Sequence, residues 1–265
     1  MKSVRLARAA LLLLFLAVAC LSAQIAIYGD TQSNDDVHAK VVAGILSHSP
    51  QIAFHTGDLT SNGTKRDRWE RFFSISGPLM EKCPLYPAMG NHEKSAEIFL
   101  ERFPHLGDST YYTVPYDSLL FVILDSNQDL MPRSGQYEWL LQTLERDREV
   151  PKIVLMHHPV FSSGWHGGEE GFDLILPDLF TGRGVIAVFA GHDHNYERLA
   201  YGDITFIVCG GGGGTQRPGG SPSPYSAFFK IEHSYMILER KGRILDCTAY
   251  GLEGQAIDRF QIPLP

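Results

Sequence analysis

The sequence predicts an α/β fold in a single domain, and two patterns carry that prediction. From residue 24 onward, near-continuous apolar runs of strand length alternate with segments whose apolar residues recur at helical spacing. Beyond residue 204 the alternation gives way to successive strand-like runs joined by short loops. Strands alternating with helices build a sheet whose faces the helices cover. The chain has 265 residues, 44% hydrophobic and 20% charged, which is enough for one large core.

Residues 25–28 form the first apolar run and read as a buried strand. Residues 36–47 carry Val37, Val41, Val42, Ile45 and Leu46 on one helical face, with Ser33 or Asn34 as the cap. Residues 52–55 read as a second strand and residues 66–74 as a second helix. Strand 119–124 precedes helix 136–148, where Trp139, Leu140 and Leu144 share a face. Runs 153–156 and 185–190 are again buried strands. Runs 204–209, 227–232, 235–239, 244–250 and 256–262 follow as strands, with Lys241-Gly242 as a tight turn. Residues 210–214 and 218–224 are rich in Gly, Pro and Ser and read as loop.

Residues 1–23 are different in kind. Lys2, Arg5 and Arg8 precede an apolar run that ends in small residues around Ala17, Ala19 and Ala23. This reads as a secretory signal peptide, too short and wrongly flanked for a membrane span, and it leaves residues 24–265 as the functional domain. The expected location is therefore periplasmic or secreted. Ala17-Val18-Ala19-Cys20 also resembles a lipoprotein box, so a lipid anchor on Cys20 is a second reading.

Removing that segment takes away three of the 23 basic residues and none of the 30 acidic ones, so the formal charge goes from −7 to −10. Such a surface disfavours nucleic acid, whose binding rests on Lys and Arg. Cys83, Cys209 and Cys247 have no metal-type spacing. Cys209 and Cys247 either pair or stay as buried thiols.

Where the apolar runs end, metal-capable side chains follow. The ends read Gly29-Asp30, Gly57-Asp58, Gly90-Asn91-His92-Glu93, His157-His158 and Gly191-His192-Asp193-His194. In α/β sheets ligands gather beyond the carboxyl ends of strands, so these five loops should converge. Asp30, Asp58, Asn91, His157, His192 and His194 then make one set. Carboxylate, amide oxygen and imidazole suit borderline cations such as Zn, Fe or Mn, and the set is large enough for two ions. Two ions about 3.5–4 Å apart lower the pKa of a shared water and clamp both oxygens of an in-line displacement. Gly211–Gly214 lacks the Gly-Lys-Ser/Thr ending of a nucleotide loop and reads as a close-packed turn.

The order of these motifs resembles the calcineurin-like metallophosphoesterase superfamily. Val154-Leu155-Met156-His157, the run from Gly191 to Arg198, the Cys209–Gly214 segment and the ending from Gly254 to Phe260 are similar to the purple acid phosphatase branch. The resemblance covers essentially all of residues 24–265, without the extra N-terminal β domain of plant members. It implies two facing mixed β-sheets flanked by helices, a four-layer α/β/β/α sandwich. It also implies a dinuclear centre of divalent or mixed-valence ions. In it Asp30, Asp58 and His194 would hold the first ion, Asp58 would bridge, and Asn91, His157 and His192 would complete the second. His92 would face the substrate, oriented by Glu93. The implied reaction is hydrolysis of a small phosphorylated substrate, with a bridging hydroxide attacking phosphorus directly. A monoester is favoured; a cyclic-nucleotide or phospholipid-headgroup diester, or a phosphate- or metal-binding homologue of weakened turnover, is the alternative.

Two positions depart from the family pattern. Ser61 stands where purple enzymes carry a Tyr, and Gln32 where other members carry a His. Gln32 could lend its amide oxygen to the first ion, or water could fill the gap. Gln32, Ser61 and Asn62 are otherwise supporting or substrate-contacting loop residues. His158 and His166, in the loop after the fourth motif, are further candidates for touching phosphate or leaving group.

Overall fold

The computed structural model describes residues 23–146 and 148–265. The expected signal peptide, apart from Ala23, and Cys20 with it, lie outside the described residues. Strands β1 (Gln24–Tyr28), β2 (Ile52–His55) and β3 (Leu85–Pro87) run parallel. They join the C-terminal antiparallel strands β11 (Ser234–Lys241), β12 (Ile244–Gly251) and β13 (Ala256–Pro263) in one sheet of order β13-β12-β11-β1-β2-β3. The second sheet has the order β10-β8-β9-β7-β6-β5-β4. Its parallel centre is β5 (Leu119–Ile123), β6 (Lys152–Leu155), β7 (Val185–Ala190) and β9 (Ile204–Cys209). β4 (Tyr112–Tyr116), β8 (Tyr196–Tyr201) and β10 (Ser226–Lys230) are its antiparallel members.

Strand alternation sorts the core into three layers. Ile25, Ile27 and Phe54 of the first sheet pack against Phe121, Ile123, Ile153, Leu155, Ala187 and Phe189 of the second. The Phe54 and Phe121 rings stack across this interface with centroids 4.2 Å apart. The residues between them point outward. Ala26, Tyr28 and Ala53 pack under α1 (Asp35–Ser47), α2 (Arg66–Met80) and α3 (Ala96–Arg102). Val122, Val154 and Val188 pack under α4 (Gly135–Arg146) and α5 (Phe172–Phe180). The fold is thus the expected sandwich of two mixed sheets with helices outside.

Asn34, not Ser33, caps α1, its side-chain oxygen accepting from Val37 N at 3.2 Å. Helix α2 extends past the expected end at residue 74 and crosses Gly77-Pro78. Proline removes one helical hydrogen bond there, but buried Ser76 and Leu79 hold the last turn on the core. α3, α5, β4 and β8 were not visible in the hydrophobic pattern. α5 holds an internal Pro177 and is buried on one side by Phe172, Leu176, Leu179 and Phe180. β8 hides behind polar residues, because its buried Glu197 accepts from Ser163 N and Oγ. Cys83, Cys209 and Cys247 are buried free thiols, so the disulfide alternative is set aside.

Two stability outcomes follow. Phe121→Ala should cost about 3–5 kcal/mol in urea unfolding, since it empties the middle of the inter-sheet layer. His38 is buried beside Ser76 Oγ at 3.0 Å, and burial lowers its pKa from 6.5 to about 3. Between those values the unfolded chain binds a proton that the folded chain does not, so this contribution to stability is lost as pH falls. His38→Gln should reduce the loss on acidification by up to about 1.4 kcal/mol per pH unit, measured by unfolding at pH 6.5, 5.5 and 4.5.

Candidate metal centre

The five strand-end loops meet in one pocket, and backbone hydrogen bonds lock them to each other. Asp30 N donates to Gly57 O at 3.0 Å and Thr31 N to Asp58 O at 3.0 Å. His92 N donates to Asp58 Oδ1 at 2.9 Å, and His192 N donates to Asp30 Oδ1 at 2.9 Å. Each carboxylate is therefore held by the backbone of a loop remote in sequence.

Close approach explains the glycines before these residues. A Cβ on Gly90 would lie 2.2 Å from Asp58 N, and one on Gly191 would lie 2.2 Å from Asp30 Oδ2. The sharp turn itself falls mainly on the following residues. Asp30, Asp58 and His192 all adopt left-handed backbone, with φ of 58°, 57° and 69°. A non-glycine residue there is strained, and such strain gathers at functional sites.

The donor atoms face one another without protons to share. His157 Nδ1 donates to Thr56 O at 2.9 Å, so its Nε2 carries a lone pair. That Nε2 faces Asn91 Oδ1 at 2.9 Å and Asp58 Oδ1 at 3.5 Å, both acceptors. His192 Nδ1 lies 3.3 Å from the same nitrogen. Asp30 Oδ2 is buried with no hydrogen-bond partner. Facing lone pairs and an orphaned buried carboxylate oxygen are satisfied together by a cation, so the donor set fits a metal ion. One ligand atom from each of Asp30, Asp58 and His157 lies within 4.8 Å of the others.

The electrostatics agree. Burial raises Asp30 to about 7, against the pull of His194, and burial likewise raises Asp58. Burial lowers His157 well below its usual range and, with the neighbouring imidazoles, lowers His192 to about 2. His194 is the exception: burial opposes its charge, but Asp30 at 3.5 Å raises it to about 9. A cation supplies the positive charge these buried carboxylates otherwise lack.

The other candidates divide. Glu93 does not orient His92. Its buried carboxylate accepts from Asp58 N at 3.0 Å, Gly90 N at 2.8 Å and Thr60 N at 3.2 Å, fixing the Asp58 loop. Burial and then the Asp58 charge raise its pKa to about 8. His92 is instead held by the Ser61 carbonyl, which accepts from Nδ1 at 3.0 Å, and its Nε2 lies 3.8 Å from Asp58 Oδ2. Gln32 turns its amide nitrogen to Asp58 Oδ2 at 3.1 Å and His194 Nε2 at 3.3 Å, leaving Oε1 buried and unpartnered. The oxygen donation expected of it requires the amide to turn over. Asn62 is not in the pocket network: its oxygen accepts from Thr64 N and Oγ1 in a local turn.

His166 packs its ring on His192, centroids 4.3 Å apart, and donates from Nδ1 to Asp193 Oδ1 at 3.0 Å. His158 packs on His157 and His192. Sequence reasoning missed the residues that hold these groups, namely Thr56, Asp193 and Ser126. Asp193 stood inside the Gly-His-Asp-His run as a spacer, yet it is buried and also accepts from Ser162 Oγ and His166 N.

Two facing sheets with carboxylate, amide and imidazole donors at their strand ends define a metallophosphoesterase-type sandwich. The calcineurin-like phosphoesterase family matches residues 23–196, and the chain belongs to that family. It is similar to purple acid phosphatase 18 of Arabidopsis thaliana, 30% identical over 54% of this chain and 37% of that one. It is also similar to a phosphoenolpyruvate phosphatase of Allium cepa, 29% identical over 73% of this chain and 50% of that one. The chain thus spans half or less of the length of these relatives. The fold matches a purple acid phosphatase from yellow lupin seeds with a TM-score of 0.78, at 20% identity, over 91% of this chain and 53% of that one.

Glu93→Gln keeps the shape of the side chain but turns a hydrogen-bond donor toward backbone N–H groups. The variant should stay folded and lose about 10–100-fold in metal affinity, measured by titration of the metal-stripped protein.

Proposed function

We propose that this protein is an exported phosphomonoesterase with a dinuclear metal centre, acting on a small phosphorylated substrate. Asp30, Asp58 and His194 would hold one ion, Asp58 would bridge, and Asn91, His157 and His192 would hold the other. The observation that carries this reading is the 2.9 Å approach of two lone-pair atoms, His157 Nε2 and Asn91 Oδ1, beside Asp58. Two metal ions held there would supply an acidified water and offset charge on the phosphoryl oxygens.

The chain's own residues do the rest. Asp58 stays ordered because Glu93 and His92 N grip its loop from two sides. His92 donates from Nδ1 to Ser61 O, which turns Nε2 toward Asp58, and as the imidazolium it would hand the Nε2 proton to the leaving oxygen. His166, steadied by Asp193, offers a second imidazole at the rim. No side chain is asked to form a covalent intermediate. Export rests on residues 1–23 of the sequence, and intact mass of the protein recovered from its native compartment tests both cleavage and lipidation at Cys20. The acidic charge, −7 for the whole chain, argues against nucleic acid as a partner.

A second reading, metal or phosphate binding without turnover, draws on Gln32, whose nitrogen rather than oxygen faces the first ion's position. Turnover measurements separate the two. Asp58→Asn and His192→Ala should each abolish nearly all hydrolysis of an aryl monophosphate while the circular dichroism spectrum is kept. His92→Ala should reduce kcat by about 10²–10⁴-fold. Undiminished activity in Asp58→Asn and His192→Ala would refute the assignment, and faster turnover of a bis-aryl phosphate would move it to diesters. Because Ser61 replaces the tyrosine of purple enzymes, the iron-loaded protein should show no intense visible band in an absorption spectrum.

A further inference from the structure

The fourth strand end carries two consecutive histidines, and the function proposed above uses only the first. We infer that His158 is a third imidazole ligand beside His157 and His192, giving that ion position three histidines and the Asn91 amide. The ligand class is a borderline divalent cation such as Zn, Fe or Co, for which an imidazole-rich set is favourable. The inference rests on the pocket being a metal site, and not on turnover.

Geometry supports it from three sides. One ligand nitrogen from each of His157, His158 and His192 lies within 4.8 Å of the other two. The His158 ring packs edge-on to His157, centroids 4.9 Å apart, and tilted on His192 at 4.6 Å. Ser126 Oγ accepts the His158 backbone N–H at 2.9 Å and bonds Nδ1 at 2.8 Å. Nδ1 is thereby anchored, while Nε2 has no hydrogen-bond partner among the described residues. A histidine with one nitrogen fixed and the other open to neighbouring donors is how ligating imidazoles are oriented.

Ser126 is itself fixed by the fold. It follows β5, so a sixth strand end reaches the pocket. The next residue, Asn127, donates from Nδ2 to Met89 O at 3.0 Å, tying this loop to the one that carries Asn91. Asp125 accepts from Asn127 N at 3.0 Å and from Thr110 Oγ1 at 2.7 Å, which stiffens the loop further. His158 therefore comes to the pocket on a braced base, unlike a solvated loop histidine.

The test titrates metal-stripped full-length protein with Zn(II) by calorimetry, and with Co(II) by visible absorption, at fixed pH. In His158→Ala and His158→Gln the affinity for one ion should fall about 10–100-fold, with a changed Co(II) spectrum. Ser126→Ala should shift both readouts the same way by less. Folded variants whose isotherms and Co(II) spectra superimpose on wild type would overturn the inference. Wild-type protein that takes up no ion would overturn the metal centre as well, so the two failures are distinguishable.

Discussion

The pocket depends on one constraint: each acidic side chain in it is held by backbone N–H groups from another loop. Asp30 is gripped by the His192 amide, Asp58 by the His92 amide, and Glu93 by the amides of Asp58 and Thr60, with Gly90 of its own loop adding a third. Freeing any one loop leaves a buried donor or acceptor unpaired, at about 1–3 kcal/mol each. The carboxylates thus serve the structure and the chemistry at once. They are buried where water cannot screen them, yet Asp30 keeps Oδ2 without a hydrogen-bond partner and Asp58 keeps Oδ1 within 3.5 Å of His157 Nε2. Such a shell holds ligands within the tolerance a metal needs, without a rigid cofactor to shape it.

The strain in the backbone belongs to the same design. Three candidate ligands, Asp30, Asp58 and His192, sit in left-handed conformation immediately after glycines that other atoms nearly touch. Strain of this kind costs about 1–3 kcal/mol per residue and persists only where surrounding contacts over-determine it. Here the surrounding contacts are the inter-loop hydrogen bonds and the stacked inter-sheet core beneath them. Sheet, loop and ligand are therefore coupled: the Phe54–Phe121 layer sets the spacing of the two sheets, and that spacing brings β1 and β2 ends to β6 and β7 ends.

Much of this was legible in the sequence, for physical reasons. Strands buried on both faces leave continuous apolar runs, so β1, β2, β5, β6, β7 and β9 could be read directly. Strand ends in α/β sheets gather ligands, so Asp30, Asp58, Asn91, His157, His192 and His194 could be grouped before any coordinates. What escaped has no periodic signature. β8 is disguised by Glu197, which is polar yet buried because Ser163 satisfies it. Helix α5 is interrupted by Pro177. The role of Glu93 was misjudged because adjacency in sequence suggested His92 as its partner, whereas its carboxylate turns to the backbone of the Asp58 loop. Supporting groups such as Thr56, Ser126 and Asp193 depend on tertiary contact alone.

The most direct test of the account is anomalous diffraction from a crystal grown with Zn or Mn, recorded at the absorption edge of the metal. The account predicts a peak within coordination reach of His157 Nε2, Asn91 Oδ1 and Asp58. A map with no peak there, and with the Asn91 amide turned to donate to His157, would contradict it.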